Sequence, residues 1–292
     1  MNGILIVDKP EGLTSHDVVA AARRALGETR IGHTGTLDPL ATGVLPLAIG
    51  RATRLVRFLA ASDKDYTAEI RFGLTTDSYD ITGQETARTD SAPSEEAVGS
   101  AIAALTGDYL QQPPAFSAKK VDGRRSYTLA RRSASVPLRP VPVRVTHAQL
   151  LHFADRRASV ALTCSTGFYV RAFAHSLGQL TGVGACLEAL RRTRSGEFGL
   201  ARAVPMTALA TDVNVRERVV PVEELLPGFP AVSVTARGRV HVTHGRELSP
   251  DDYAPQLPSL EWARVFDPSG ALVALASPGQ TPGALHPSIV LI

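Results

Sequence analysis

Residues 32–45 read GHTGTLDPLATGVL. Gly32, Gly35 and Gly43 permit tight turns and let a ligand come close to the backbone. Pro39 fixes the backbone just after Asp38 and biases Asp38 itself towards an extended conformation. An aspartate held on so stiff a bend can be presented into a cleft. Taken alone, however, such an aspartate is more often a turn former or a helix cap than a nucleophile. The rest of the chain has to decide its meaning.

Upstream, GILIVD at 3–8 reads as a buried strand closed by Pro10 and Gly12. Thr14 or Ser15 then caps a helix with Asp17 in its first turn and Gly27 at its end. Its apolar residues Val18, Val19, Ala22 and Leu26 keep to one face. Downstream, VLPLAIG reads as a strand, followed by a helix through Leu55 and Leu59. Residues 65–73 alternate, with Tyr66, Ala68, Ile70 and Phe72 on one face, as in a half-buried strand. A helix is expected near 94–106, between Ser94 and Gly107. Strands are expected over 141–153 and 158–165, and helices over 169–180 and 184–192.

Strands and helices mix without a strict βαβ rhythm, which predicts an α+β fold: a mixed or antiparallel sheet flanked by helices. Near 226–231 proline and glycine suggest a linker. The runs VSVTA, RVHVTHG, WARVFD, ALVALAS and SIVLI beyond it predict a small β-rich C-terminal domain. The expected division is 1–228 and 229–292.

The 292 residues are 44% apolar, enough to bury a real core. The formal charge is only +3 and the pI about 9.0, compatible with a nucleic-acid partner without requiring one. Positive charge does cluster. Lys119, Lys120, Arg124, Arg125, Arg131, Arg132, Arg139 and Arg144 face a single acid, Asp122, over 113–144. Phe116 and Tyr127 interleave them, and prolines bracket the segment. Basic runs are commonly just solvated surface, but this composition suits backbone contact and stacking with RNA. Arg191, Arg192 and Arg194 form a second basic cluster able to take phosphates. Cys164 and Cys186 sit in apolar stretches with no CxxC, so two reduced, buried thiols are expected. The start lacks a basic, apolar leader and no run is long enough to span a bilayer, which predicts a cytoplasmic protein with no membrane partner.

The string GHTGTLDPLATGVL matches throughout the signature of the TruB family of pseudouridine synthases, close to GHxGxLDPxATGxL. The resemblance continues in order. Asp8-Lys9-Pro10 is similar to the family's DKP element, and Asp63-Lys64-Asp65-Tyr66 to its DKxY. Ser117–Lys120 with Gly123–Arg125 and Tyr127 resembles its RNA-gripping insertion, about 113–140. Gly167–Arg171 is similar to its GxYxR and Leu190–Thr193 to its LRR element. Phe168 stands where the family commonly has Thr, and Lys119 where Leu is common; neither position is assigned to chemistry.

The resemblance implies the pseudouridine synthase fold, with a tail related to RNA-binding PUA modules. It implies isomerisation of uridine to pseudouridine at position 55 in the T loop of tRNA. Chemistry on a base in folded RNA requires that the base be extruded into a pocket. Asp38 is then the essential nucleophile or base, and a cationic partner is expected for it, with Arg171 the candidate. Tyr66 would be the aromatic wall for the flipped uracil, although an ordinary core tyrosine fits the pattern too. Tyr169 and Leu190 would complete the pocket, and His33 would fill the gap in the RNA. Lys9 would support the loop or touch RNA, and Lys119, Lys120, Arg124, Arg125 and Tyr127 would grip RNA. Neither a metal nor a cofactor is expected, since no P-loop, HExxH or complete GxGxxG is present. A monomer is expected.

Two other readings are weighed. One is a catalytically idle RNA binder, which would have no need of Asp38. The other is a glycosidic hydrolase, which would need a second carboxylate; Asp63 and Asp65 are the nearest in sequence.

Overall fold

The computed structural model describes residues 1–114, 139–257 and 261–292, and the backbone of 120–121 and 124–125. Its centre is one large mixed sheet. In chain order the elements are β1 (Gly3–Lys9), α1 (Ser15–Leu26), β2 (Ile31–His33), β3 (Ala41–Ile49), a 3₁₀ turn (Gly50–Leu55), α2 (Val56–Ala60), β4 (Lys64–Phe72), β5 (Leu74–Thr76), β6 (Glu85–Arg88), α3 (Glu95–Ala104) and β7 (Gly107–Gln111). The two-residue strands β8 (Lys120–Val121) and β9 (Arg124–Arg125) follow, then β10 (Val141–Ala154), β11 (Arg157–Cys164), α4 (Val170–Thr181), β12 (Ala185–Ser195), β13 (Phe198–Gly199), β14 (Val204–Pro205) and β15 (Val220–Pro221). The sheet runs β14-β1-β3-β12-β4-β11-β10-β7, with β2, β13 and β15 pairing at its side. Two pairs, β1–β14 and β3–β12, are parallel and the others antiparallel, so the sheet is mixed as expected.

α1 shows why the local sequence folds as it does. The Thr14 side chain accepts from the Asp17 N–H and the Asp17 carboxylate accepts from the Thr14 N–H, a reciprocal capping box. Gly27, at φ +61, closes the far end in the left-handed conformation. Val18, Val19, Ala22 and Leu26 are buried, as the spacing predicts. α1, α3 and α4 place their apolar stripes in one core against the sheet, each fully buried Leu, Ile or Val contributing about 1.5–3 kcal/mol.

The helix expected over 184–192 is instead β12, a central strand between β3 and β4. Register shifts at Leu187/Ala189 and Arg192/Arg194 break its alternation, so its apolar residues mimic helical spacing. Conversely, RVHVTHG does not form a strand: Ala236–Thr243 is a helix whose first turn is capped by Thr235 accepting from the Gly238 N–H. The other four C-terminal runs contribute Ala231–Val234, Ala263–Phe266, Leu272–Pro278 and Leu285–Val290 to a five-stranded sheet, which Tyr253–Ala254, outside the predicted runs, completes. This β-rich part shares a core with the large sheet: Leu272, Leu275, Ile289 and Leu291 pack with Ile4, Ile6, Val44 and Leu55. The residues near 226–231 take part in that core through Leu226 and Phe229. Both cysteines are buried and unbridged. Among the described residues, no helix is long and apolar enough to cross a membrane.

Candidate active site

The loop between β2 and β3 carries Asp38, and its shape is fixed from several sides. The Ser15 hydroxyl, buried in the first turn of α1, accepts from the Leu37 N–H at 2.9 Å and donates to the Leu37 carbonyl at 3.0 Å. The Asp38 carbonyl accepts from the Ala41 N–H at 3.0 Å, closing the bend around Pro39. The Pro39 carbonyl accepts from the Gly12 N–H at 2.8 Å and from the Lys9 ammonium at 3.3 Å. Lys9 also donates to the carbonyls of Pro10 and Leu13, and it is fully buried. Of its two expected roles, the geometry therefore favours loop support; an enclosed ammonium has no donor left for RNA.

Arg192 holds the other side of the loop. It is 1% exposed and donates to the carbonyls of Val44 at 2.7 Å and Gly35 at 3.1 Å. Gly43 makes this possible, since a Cβ there would lie 2.1 Å from the Arg192 carbonyl oxygen, at a φ of +100°.

The loop faces the N-terminal end of α4. Arg171 Nε lies 2.9 Å from Asp38 Oδ2. The guanidinium is also anchored behind: Nη1 meets Asp80 Oδ2 at 3.4 Å and the Ser78 carbonyl at 3.3 Å. Asp80 is buried, and its other oxygen accepts from Ser78 and from the Thr82 N–H. Arg171 thus sits between two carboxylates, one enclosed and one open: the Asp38 side chain is 43% exposed. Tyr169 enters the site on a backbone clamped by Gln111, whose amide accepts from the Tyr169 N–H at 2.8 Å and donates to its carbonyl at 3.0 Å.

These elements enclose a cavity of about 310 Å³ lined by Asp38, Arg171, Tyr66, Tyr169, Leu190, Phe168, Lys64 and Arg192, among others. Asp38 is the sole carboxylate among the described residues lining it. The wall otherwise combines apolar and aromatic side chains, Leu37, Leu190, Tyr66, Phe168 and Tyr169 among them, with the cations Lys64, Arg171 and Arg192. Burial pushes the Tyr66 phenol above its ordinary range, against the pull of Arg192. Burial lowers Lys9 and Lys64 to about 8 each. His33 lies outside the lining, beside the loop, its ring 5.8 Å edge-on from His16. Burial holds its imidazole below the usual range, with His16 and Arg192 adding to the effect. No group of three His, Cys, Asp or Glu fit to hold a metal occurs among the described residues.

The model for the N-terminal domain of TruB family pseudouridylate synthases matches residues 23–170, and that for the tRNA pseudouridylate synthase B C-terminal domain matches 171–227. The chain belongs to the TruB family. A tRNA pseudouridine synthase B of Solibacter usitatus is 42% identical over 295 residues, covering 100% of both chains. One of Mycobacterium sp. (strain KMS) is 45% identical over 255 residues, covering 85% of this chain and 84% of its own. Among solved structures, a Cbf5-Nop10-Gar1 complex aligns with a TM-score of 0.74 and 25% identity, over 99% of this chain and 85% of that one. An H/ACA RNP bound to a substrate RNA containing 2′-deoxyuridine aligns with a TM-score of 0.76 at 24% identity, over 99% and 85%, and shares the fold. This TruB-family chain is thus an isomerase, a pseudouridine synthase of tRNA uridine.

Sequence reasoning gave no part to Ser15, Lys64, Asp80 or Gln111, and left Phe168 out of the site whose wall it forms. The site partners of Ser15, Gln111 and Asp80 lie 22 to 91 residues away, beyond any local pattern, whereas Lys64 donates to the nearby carbonyls of Ala60 and Ser62. The basic cluster 191–194 is corrected. Arg191 is held by Asp8 at 2.8 and 3.1 Å and Arg194 by Asp65 at 2.6 and 2.8 Å, while Arg192 is enclosed; none offers a free fork to phosphate. The side chains of Lys119, Lys120, Arg124, Arg125 and Tyr127 lie outside the described residues.

The enclosed lysines carry a pH prediction. Unfolded, they titrate near 10.5; folded, near 8. Between those values the unfolded chain binds more protons, so their contribution to stability rises with pH. The buried thiols oppose this above pH 9, since burial pushes Cys164 up to about 12 and Cys186 to about 11. The difference in urea unfolding free energy between wild type and Lys9→Met isolates one lysine. It is expected to grow in favour of the wild type from about pH 7.5 to pH 10; a flat or falling difference would mean that the ammonium is not desolvated.

Proposed function

We propose that this protein isomerises uridine to pseudouridine at position 55, in the T loop of tRNA, with Asp38 as the essential nucleophile or base and without a cofactor. The supporting observation is the pairing of an accessible Asp38 with Arg171, in a cavity that no other described carboxylate lines. The bond between uracil N1 and the ribose breaks, the base turns, and C5 bonds to the ribose. The C5 proton leaves and N1 gains one, so composition is unchanged.

Tyr66, Tyr169 and Leu190 form the pocket for the flipped uracil, where stacking contributes roughly 1–3 kcal/mol. Arg171 orients Asp38, and Asp80 orients Arg171. His33, next to the cavity, takes the space the base vacates in the RNA. The hydrolase reading loses support: Asp65 is engaged by Arg194, and neither it nor Asp63 lines the cavity. The chain divides near residue 228, works as a monomer in the cytoplasm, and carries a PUA-like tail.

An unmodified tRNA transcript tritiated at uracil C5 tests this reading. Isomerisation releases tritium from an intact chain, and a transcript with cytidine at position 55 should release none from that site. Abasic RNA would point to a hydrolase, and binding without release to an RNA binder. The basic segment 113–144 grips the phosphate backbone, so tRNA affinity is expected to fall by roughly 10³-fold or more between 50 and 200 mM salt. Filter binding at both concentrations checks this, and an unchanged dissociation constant would remove that assignment.

A further inference from the structure

Outside the cavity, three arginines lie along the helical segment that leads into it. Arg51, Arg54 and Arg57 recur every third residue through the 3₁₀ turn Gly50–Leu55 and α2. The 3₁₀ geometry stacks Arg51 almost directly beneath Arg54, and Arg57 follows on the adjoining face of α2. All three are exposed, and none meets a carboxylate within 4.0 Å among the described residues. Most arginines near the catalytic loop, by contrast, are paired with acids. Arg51 donates one Nη1–H to the Leu291 carbonyl at 2.8 Å, and Arg54 one to the Val290 carbonyl. Arg57 lies over the rings of Phe58 at 4.7 Å and Trp262 at 5.2 Å. Each contact uses one nitrogen or one face, and the remaining donors of a five-donor fork point elsewhere.

Between this stripe and the strand Leu285–Val290 runs a cleft of about 360 Å³, lined by Arg54, Arg57, Ser288, Ile289 and Val290. Ala60, the last residue of α2, lines the catalytic cavity, so Arg57 stands one helical turn from it. The whole chain carries only +3, and three oriented guanidiniums in a row with no carboxylate partner among the described residues are a local excess. They suit a partner with negative charge repeated at short intervals. A guanidinium fork matches a phosphate, and a ring-stacked arginine keeps its N–H edge free for one.

We propose that the Arg51–Arg54–Arg57 stripe and its cleft bind the phosphodiester backbone of the substrate RNA outside the hairpin that holds the target uridine. The inference rests on the proposed function for its substrate, and it adds a second contact region on the body of the tRNA.

The test compares two RNAs, a full-length unmodified tRNA transcript and the isolated T-arm hairpin. Two lesions are used: Arg57→Gln, and Ser288→Asp, which leaves all three arginines and their carbonyl contacts in place. For full-length tRNA the dissociation constant is expected to rise roughly tenfold or more. For Arg57→Gln the slope of log affinity against log salt should fall by about one. Hairpin affinity and tritium release from the hairpin should stay within about twofold of wild type, since no phosphate contact to it is lost. Equal losses on both RNAs would overturn the proposal, because the stripe would then serve the hairpin or the fold. No change on either would overturn it in favour of an acidic protein partner or none. The ratio of the two affinities is read without turnover. A wild type that binds RNA but releases no tritium would therefore count against the proposed function and leave this ratio to be judged separately.

Discussion

Asp38→Asn is expected to bind tRNA nearly as well as wild type and to lose turnover on the order of 10⁴-fold or more, the scale of removing an essential nucleophile or base. Asparagine keeps the size of the side chain and one carbonyl acceptor for Arg171 Nε, so the loop should keep its shape. Its supports are elsewhere, in Ser15, Gly12, Lys9 and Arg192, none of which touches the Asp38 carboxylate. Arg171 retains Asp80 and the Ser78 carbonyl. The substitution should therefore cost little stability, within about 1 kcal/mol, as is usual where no buried group loses its partner. Single-turnover tritium release with enzyme in excess gives the rate, and filter binding gives the affinity. Release within tenfold of wild type would exclude Asp38 as the essential group, while an equal loss of binding would make it an RNA contact.

The parts of this site that were legible in the sequence are those carried by contiguous strings. The loop 32–45 placed Asp38 on a rigid bend, and the string 167–171 placed Arg171 two residues after Tyr169. Both lie where those strings put them, although nothing local says that they meet, since Asp38 and Arg171 are 133 residues apart. α1 and β4 were legible because one has a reciprocal cap and the other a clean alternation. β12 was not, because two bulges interrupt its period and leave Leu187 and Leu190 at helical spacing. The Ala236–Thr243 helix was hidden for the opposite reason. Its Val-His-Val alternation imitates a strand, and the deciding contact is a single cap from Thr235. Arg191 and Arg194 read as free cations because their acids, Asp8 and Asp65, lie 183 and 129 residues away. Asp80 gave no signal at all. In its turn it looks like any surface aspartate, and only the folded chain encloses it behind Arg171.

That enclosed aspartate determines what happens when Arg171 is replaced. Arg171→Met is expected to lose both turnover and stability, and the two losses have different causes. Asp80, buried and charged, would be left without its cation, and breaking a buried pair in this way costs about 3–5 kcal/mol. Asp38 would lose the guanidinium that aims it, so turnover should fall by roughly 10²-fold or more even in the folded fraction, the scale of a lost orienting contact. Adding Asp80→Asn separates them. The double variant removes the stranded charge, and the remaining contacts from Ser78 and Thr82 still satisfy the amide oxygen. Its urea midpoint should recover most of the loss while its single-turnover rate stays low. Arg171→Lys supplies the third point. One ammonium can face Asp38 or Asp80 but cannot span both as a planar fork does, so its stability should lie between wild type and Arg171→Met, with turnover still depressed. If Arg171→Met with Asp80→Asn regained wild-type turnover along with stability, Arg171 would be a structural residue only, and the orientation of Asp38 would have to come from the loop alone.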